Sequence, residues 1–268
     1  MNARSQALLV VDELAIAAAD GRTLVQDVSF ALEAGQTLGI VGESGSGKSL
    51  TCRAVLGLLP PGLRISAGDI RWRGQSLRTA PAAAYRALRR AEIGAVFQDP
   101  GSYLNPASRI GAQLAECVRV RAGVGGRAAH ATALALLEAV GIQQSASVAR
   151  RFPHELSGGM QQRVLIAMAL CGQPALLIAD EVTTALDVVV QHQVITLLAR
   201  HKAERDLAML MVSHDLALVS QVCDHILVMK DGAVVEQGER AALLAEPAHP
   251  YTRLLIDTHL QYGLDAYV

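Results

Sequence analysis

The segment Gly42-Glu43-Ser44-Gly45-Ser46-Gly47-Lys48-Ser49 constrains this chain more than any other. Two glycines flank four residues and are followed by a lysine and a hydroxyl residue. The segment stands between a β-rich apolar run, Thr37 to Val41, and a stretch of helical character, Lys48 to Leu59, that ends at Pro60-Pro61-Gly62. A strand running directly into a glycine-rich turn and then into a helix is the context a phosphate loop needs. Glycines let the backbone curl so that successive N–H groups face phosphate oxygens, and the helix N-terminus adds a favourable dipole. Lys48 then reaches the terminal phosphates and Ser49 a magnesium ion. The binding set expected here is Gly42, Glu43, Ser44, Gly45, Ser46, Gly47, Lys48, Ser49 and Leu50.

The rest of the chain reads as an α/β protein. Leu8 to Leu14 and Val25 to Leu32 alternate around Asp20-Gly21-Arg22 as an antiparallel ribbon, which Ala67 to Gly74 joins. Ile93 to Phe97 is a short β-rich run. The middle is helical and alanine-rich: Ile110 to Ala122, Ala128 to Val140 and Gly158 to Cys171, with Gly123 to Gly126 as a loop between the first two. Strands return at Ala175 to Ala179, Leu207 to Val212 and His225 to Met229, separated by helices such as Val188 to Glu204. That alternation predicts a mainly parallel sheet with helices on its faces.

Bulk properties narrow the function classes. Of 268 residues, 51% are apolar and 18% charged, with a formal net charge of −1, so no basic surface points to nucleic acid. The longest apolar run, Val164 to Cys171, is closed by Arg163 and Gly172 and is too short to span a bilayer. Asp12 and Glu13 follow the first apolar patch too closely for a secretory leader, so a cytoplasmic location is expected. Cys52, Cys117, Cys171 and Cys223 lack the paired spacing of a zinc or redox site and read as buried, reduced thiols.

Two further segments carry chemistry. Leu176-Leu177-Ile178-Ala179-Asp180-Glu181 is an apolar strand ending in two carboxylates. The pair is either a solvated strand end or the second magnesium contact, Asp180, followed by a general base for the attacking water, Glu181. In Leu156-Ser157-Gly158-Gly159-Met160-Gln161-Gln162-Arg163, Ser157 can cap a helix whose glycine amides offer an anion site. This segment resembles the signature motif of ABC transporter ATPases, and the resemblance extends over nearly the whole chain.

The resemblance implies a P-loop NTPase core with a mainly parallel sheet, an antiparallel β subdomain and an inserted helical subdomain at about 100–172. The ATPase domain would cover 1–238 and a helical tail 239–268. It further implies ATP and Mg2+ as cofactors, with Ser157, Gly158, Gly159 and Gln161 facing the nucleotide of a second ATPase subunit. Gln98, in Val96-Phe97-Gln98-Asp99-Pro100, corresponds to the Q-loop residue that touches magnesium and water. His214, in Ser213-His214-Asp215, corresponds to the switch histidine at the γ-phosphate, and Ala185-Leu186-Asp187 to the D-loop. The catalytic set is therefore Glu181, His214 and Gln98, and the magnesium set Ser49, Gln98 and Asp180. Two positions depart from the family: Val182 stands where Pro is usual, and Ala15 to Asp20 holds no aromatic to stack on adenine.

Leu104-Asn105-Pro106 and Pro250-Tyr251-Thr252-Arg253-Leu254-Leu255 resemble the importer branch for peptides and nickel. Ser49 to Cys52, Leu58 to Gly62 and His259 to Leu264 are similar to ATPase subunits of nickel importers, and the chain ends without the cysteine-bearing tail usual in peptide importers. Nickel uptake is the expectation from these matches, with a di- or oligopeptide importer as the alternative. The implied partners are a second, related or identical ATPase chain, two permease subunits and an extracytoplasmic substrate-binding protein. The implied place of work is the cytoplasmic face of the membrane. A soluble, non-transport ABC ATPase is the reading from another class; it normally carries a coiled-coil insertion or two fused ATPase units, for which this chain has no room.

Overall fold

The computed structural model describes residues 7–182 and 188–261. In chain order the elements are β1 (Leu9–Ala18), β2 (Thr23–Leu32), β3 (Thr37–Val41), α1 (Lys48–Val55), β4 (Leu63–Trp72), β5 (Gln75–Ser76), α2 (Ala82–Ala91), β6 (Ile93–Val96), α3 (Ile110–Ala122), α4 (Gly126–Ala139), α5 (Ser145–Val148), α6 (Gly158–Leu170), β7 (Leu176–Asp180), α7 (Val188–Arg205), β8 (Ala208–Ser213), α8 (Leu216–Val222), β9 (His225–Lys230), β10 (Ala233–Glu239), α9 (Arg240–Ala245) and α10 (Pro250–Gln261). The described residues group into two compact units, one of residues 7–86 with 205–261 and the other of those between 87 and 204.

The first unit holds two sheets. One is antiparallel, in the order β2-β1-β4-β5. Its hairpin closes where Asp20 accepts the Arg22 amide at 3.0 Å, and the inward residues Leu9, Leu14 and Ile16 are fully buried. In the other, β3 lies parallel to β8 on one side and to β9 on the other, and β10 pairs antiparallel with β9. Every residue of β3 and β8 is buried. Parallel strands covered on both faces must be apolar throughout, which is why Thr37 to Val41 and Ala208 to Val212 show no alternation. Helix α1 lies against β8, α8 against β3 and β8, and α10 against α8.

In the second unit β6 and β7 run parallel, in register from Ile93 with Leu176 to Val96 with Ala179. Helices α3, α4 and α6 pack on one another. Their junction is tied by Arg121, whose guanidinium donates to the carbonyls of Ala169, Cys171, Arg89 and Ile93. Cys171 is buried with Val118 and Ala129, and Cys117 packs against that cluster. Cys117 itself is only half-buried and donates to the Met168 carbonyl at 3.5 Å, so the fold brings together two thiols far apart in the sequence.

Most elements match the sequence reading to within a few residues, and α3 has the expected ends. The differences have local causes. Helix α1 stops at Val55 rather than Leu59, because the Leu58 amide turns back to the Arg53 carbonyl. Strand β4 begins earlier, at Leu63, drawn out by its pairing with β1 as far as Ala18. The glycines of 123–126 end α3 and cap α4. Helices α2 and α8 and strand β10 lie outside the elements expected from the sequence. No helix among the described residues is long and apolar enough to cross a membrane.

Candidate active site

Strand β3 delivers the chain into the phosphate loop, and its geometry explains the glycines. Gly42 has φ +149°, and a Cβ there would lie 2.1 Å from the Met229 carbonyl oxygen at the end of β9. Gly47 has φ +97° and caps α1 with no side chain of its own. Neither position admits an L-residue with a side chain without strain. Lys48, only 4% exposed, donates to the carbonyls of Gly42 at 2.7 Å and Glu43 at 2.8 Å. The ammonium thus sits over the loop it closes. The Ser46 hydroxyl is buried and has no hydrogen-bond partner among the described residues. A buried hydroxyl without a partner costs free energy unless something supplies one, and the uncapped α1 N-terminus beside it favours an anion. Both features fit the loop to phosphate.

The pairing of β3 with β8 sets Val41 opposite Ser213. The next residues, Gly42 and His214, therefore leave the sheet side by side at the same strand ends. His214 is exposed; Asp215 behind it caps α8, accepting the Leu218 amide at 3.1 Å, and its own amide donates to the Ser213 hydroxyl at 2.9 Å. The histidine is held on a short, fixed corner.

In the second unit the same device operates on β6 and β7. With Val96 opposite Ala179, Gln98 and Asp180 emerge from neighbouring strand ends. Gln98 is exposed, Asp180 is 4% exposed and Glu181 half-buried. Of the expected magnesium residues, Ser49 is half-buried in the first unit, and Gln98 and Asp180 belong to the second. Two neighbours of these residues adopt a conformation the sequence did not announce: Asp99 has φ +64° and Glu181 φ +51°. Left-handed backbone at residues other than glycine costs of order 1–3 kcal/mol and persists where surrounding structure imposes it, often at functional positions. Val182, buried, follows Glu181 in the turn.

Ser157 caps α6 as expected, accepting the Met160 amide at 3.4 Å. Ser157 and Gly158 are exposed, and a Cβ at Gly158 would meet nothing within 4 Å. This glycine therefore serves no packing need of its own unit. Gln161 turns inward instead, donating to the carbonyls of Pro153 at 2.9 Å and Leu156 at 3.3 Å. Its side chain secures the turn before the helix. Ala185-Leu186-Asp187 lies outside the described residues.

One residue at the loop escaped the sequence reading as a site residue. The Glu43 amide donates to the Tyr251 hydroxyl at 3.0 Å across 208 positions of sequence. In the sequence Tyr251 stands only within the run Pro250 to Leu255, and no local pattern links it to the loop.

A family model described as ABC transporter matches residues 25–184. The chain is 45% identical over 248 residues to the oligopeptide transport ATP-binding protein OppD of Salmonella typhimurium, covering 91% of this chain and 74% of that protein. It is 44% identical over 258 residues to the uncharacterized ABC transporter ATP-binding protein YejF of Escherichia coli, covering 95% of this chain but only 49% of the relative's length. Among solved structures, cbiO1 of Clostridium perfringens, part of the ABC transporter complex cbiONQ, superposes with a TM-score of 0.79 at 28% identity, over 90% of this chain and 92% of that one. The family binds ATP with Mg2+, and the residues present at the loop fit both. Because the match runs from β2 to just past the acids that end β7, this chain belongs to the ABC transporter family.

Proposed function

We propose that this chain hydrolyses ATP as the motor subunit of an importer for short peptides, working at the cytoplasmic face of the membrane. The observation that carries the motor reading is the glycine-tipped helix α6: exposed Gly158 has no packing neighbour within 4 Å and exposed Ser157 only caps the helix, so this tip is open to the nucleotide of a second ATPase chain. The Glu181 carboxylate accepts a proton from the attacking water, Asp180, Ser49 and Gln98 hold magnesium, and His214 faces the terminal phosphate. Magnesium, when bound, offsets the negative charge of the phosphate oxygens. Two permeases and an extracytoplasmic binding protein complete the assembly.

The 45% identity to an oligopeptide transport protein supports peptide cargo over the nickel expected from short matches, the last of which, His259 to Leu264, falls partly outside the described residues. Uptake of labelled oligopeptide and of radiolabelled nickel is compared in cells lacking this subunit. Loss of peptide uptake with normal nickel uptake is expected; the opposite pattern returns the assignment to nickel. ATP hydrolysis unaffected by any permease would instead favour a non-transport ATPase.

Gly158→Asp tests the two-chain site. An acid in the first turn of a helix is favoured by about 0.3–1 kcal/mol, so thermal stability should hold or rise slightly. The same charge facing a phosphate should lower hydrolysis on the order of 10²-fold. Full hydrolysis in a stable variant would remove α6 from the nucleotide site.

A further inference from the structure

The phosphate loop is held from outside by the segment that follows β10. Tyr251, 5% exposed, places its hydroxyl oxygen 3.0 Å from the Glu43 amide, and its ring lies under the Lys230 ammonium at 5.0 Å from the ring centroid. The position of this phenol is built rather than incidental. Glu236 on β10 accepts the amides of Ala248 at 2.8 Å and His249 at 3.0 Å. His249 Nδ1 in turn accepts the Tyr251 amide at 3.1 Å, and Arg253 donates to the carbonyls of Pro247 and Ala248. The turn entering α10 is thus tied both to β10 and within itself, and it presents the phenol to the loop.

We infer that Tyr251 is a positioning residue for nucleotide binding, bracing the second residue of the phosphate loop, with Glu236 anchoring the turn that presents it. The amide of Glu43 cannot serve phosphate while it donates to the phenol. Its engagement orients the peptide plane between Gly42 and Glu43 and so sets the direction in which the following amides curl. It also holds in place the Gly42 and Glu43 carbonyls that Lys48 contacts. Burial, together with the nearby Glu43 and Asp231 carboxylates, raises the phenol above its ordinary value, which keeps it a neutral hydroxyl. A neutral hydroxyl can accept the Glu43 amide and still offer its proton.

This inference rests on the nucleotide-site reading, and Tyr251→Phe separates the two because it keeps the ring and removes only the oxygen. In the chain with Mg2+, a fluorescent ATP analogue should bind on the order of tenfold more weakly, the effect of leaving one part-buried amide without its acceptor. KM for ATP should rise in step while kcat stays within about twofold, since the lost bond is made equally in ground and transition states. Hydrogen exchange at the Glu43 amide, measured without nucleotide, should accelerate in the variant. Glu236→Gln should produce a smaller change in the same direction, because one of its two amide contacts loses its acceptor and the other keeps an uncharged one. Unchanged analogue affinity in a folded Tyr251→Phe chain, or a loss that falls on kcat alone, overturns the positioning role. A wild-type chain that fails to bind the analogue overturns the nucleotide-site reading instead, while the exchange measurement still reports on the brace.

Discussion

Glu181→Gln leaves ATP bound and slows its hydrolysis by about 10²- to 10⁴-fold, the usual contribution of a general base. The argument begins at β7. Four buried residues, Leu176 to Ala179, carry the chain to Asp180, which is itself 4% exposed, and the next residue turns sharply with φ +51° into a half-buried position. The two adjacent acids are thereby given different surroundings, one enclosed and suited to a cation, the other directed out of the strand and able to reach water. An amide at 181 preserves the shape and one acceptor oxygen but cannot take a proton. Phosphate release under saturating ATP, set beside binding of a fluorescent analogue, checks both halves of the statement. Turnover equal to that of the wild type would remove Glu181 from the role and leave the acids as a solvated strand end.

Lys48→Ala acts one step earlier and should weaken ATP binding itself, on the order of 10²-fold. The ammonium is the loop's fixed positive charge, and charge-assisted hydrogen bonds contribute roughly 1.5–3 kcal/mol each. Its two contacts to the Gly42 and Glu43 carbonyls show that the side chain also stabilises the loop's own curl. Alanine removes both contributions, whereas thermal stability should fall only modestly, because an eight-residue helix and a fully buried strand still bracket the loop. Titration with the analogue reads the effect directly. Affinity equal to that of the wild type would contradict the assignment of Gly42 to Ser49 as a phosphate loop.

The two variants divide the site between binding and chemistry, and Tyr251→Phe falls on the binding side with a smaller effect. If Lys48→Ala and Tyr251→Phe were combined, their effects should not add. Both act through the carbonyl and amide groups of Gly42 and Glu43, and residues sharing partners couple.

What could be read from the sequence was whatever its chemistry packs into a few contiguous residues. The phosphate loop needs eight, the strand with its two acids six, and the serine-capped glycine helix another eight; each carries its own backbone requirements and so declares itself without reference to the rest of the chain. The buried strands were legible for a similar reason, since a strand covered on both faces has no choice but to be apolar. Sheet register and distant contacts were decided only by the folded chain. That Gly42 and His214 leave the sheet side by side follows from Val41 pairing with Ser213, and that Gln98 and Asp180 do so follows from Val96 pairing with Ala179. Asp99 and Glu181 take left-handed backbone because of the turns they occupy, which no residue preference announces. Tyr251 reaches Glu43 because Glu236 fixes the turn that presents it. Local pattern is written by steric and hydrogen-bonding needs within a turn or two of chain; which strand lies beside which, and what closes over the loop, depends on packing summed over residues hundreds of positions apart.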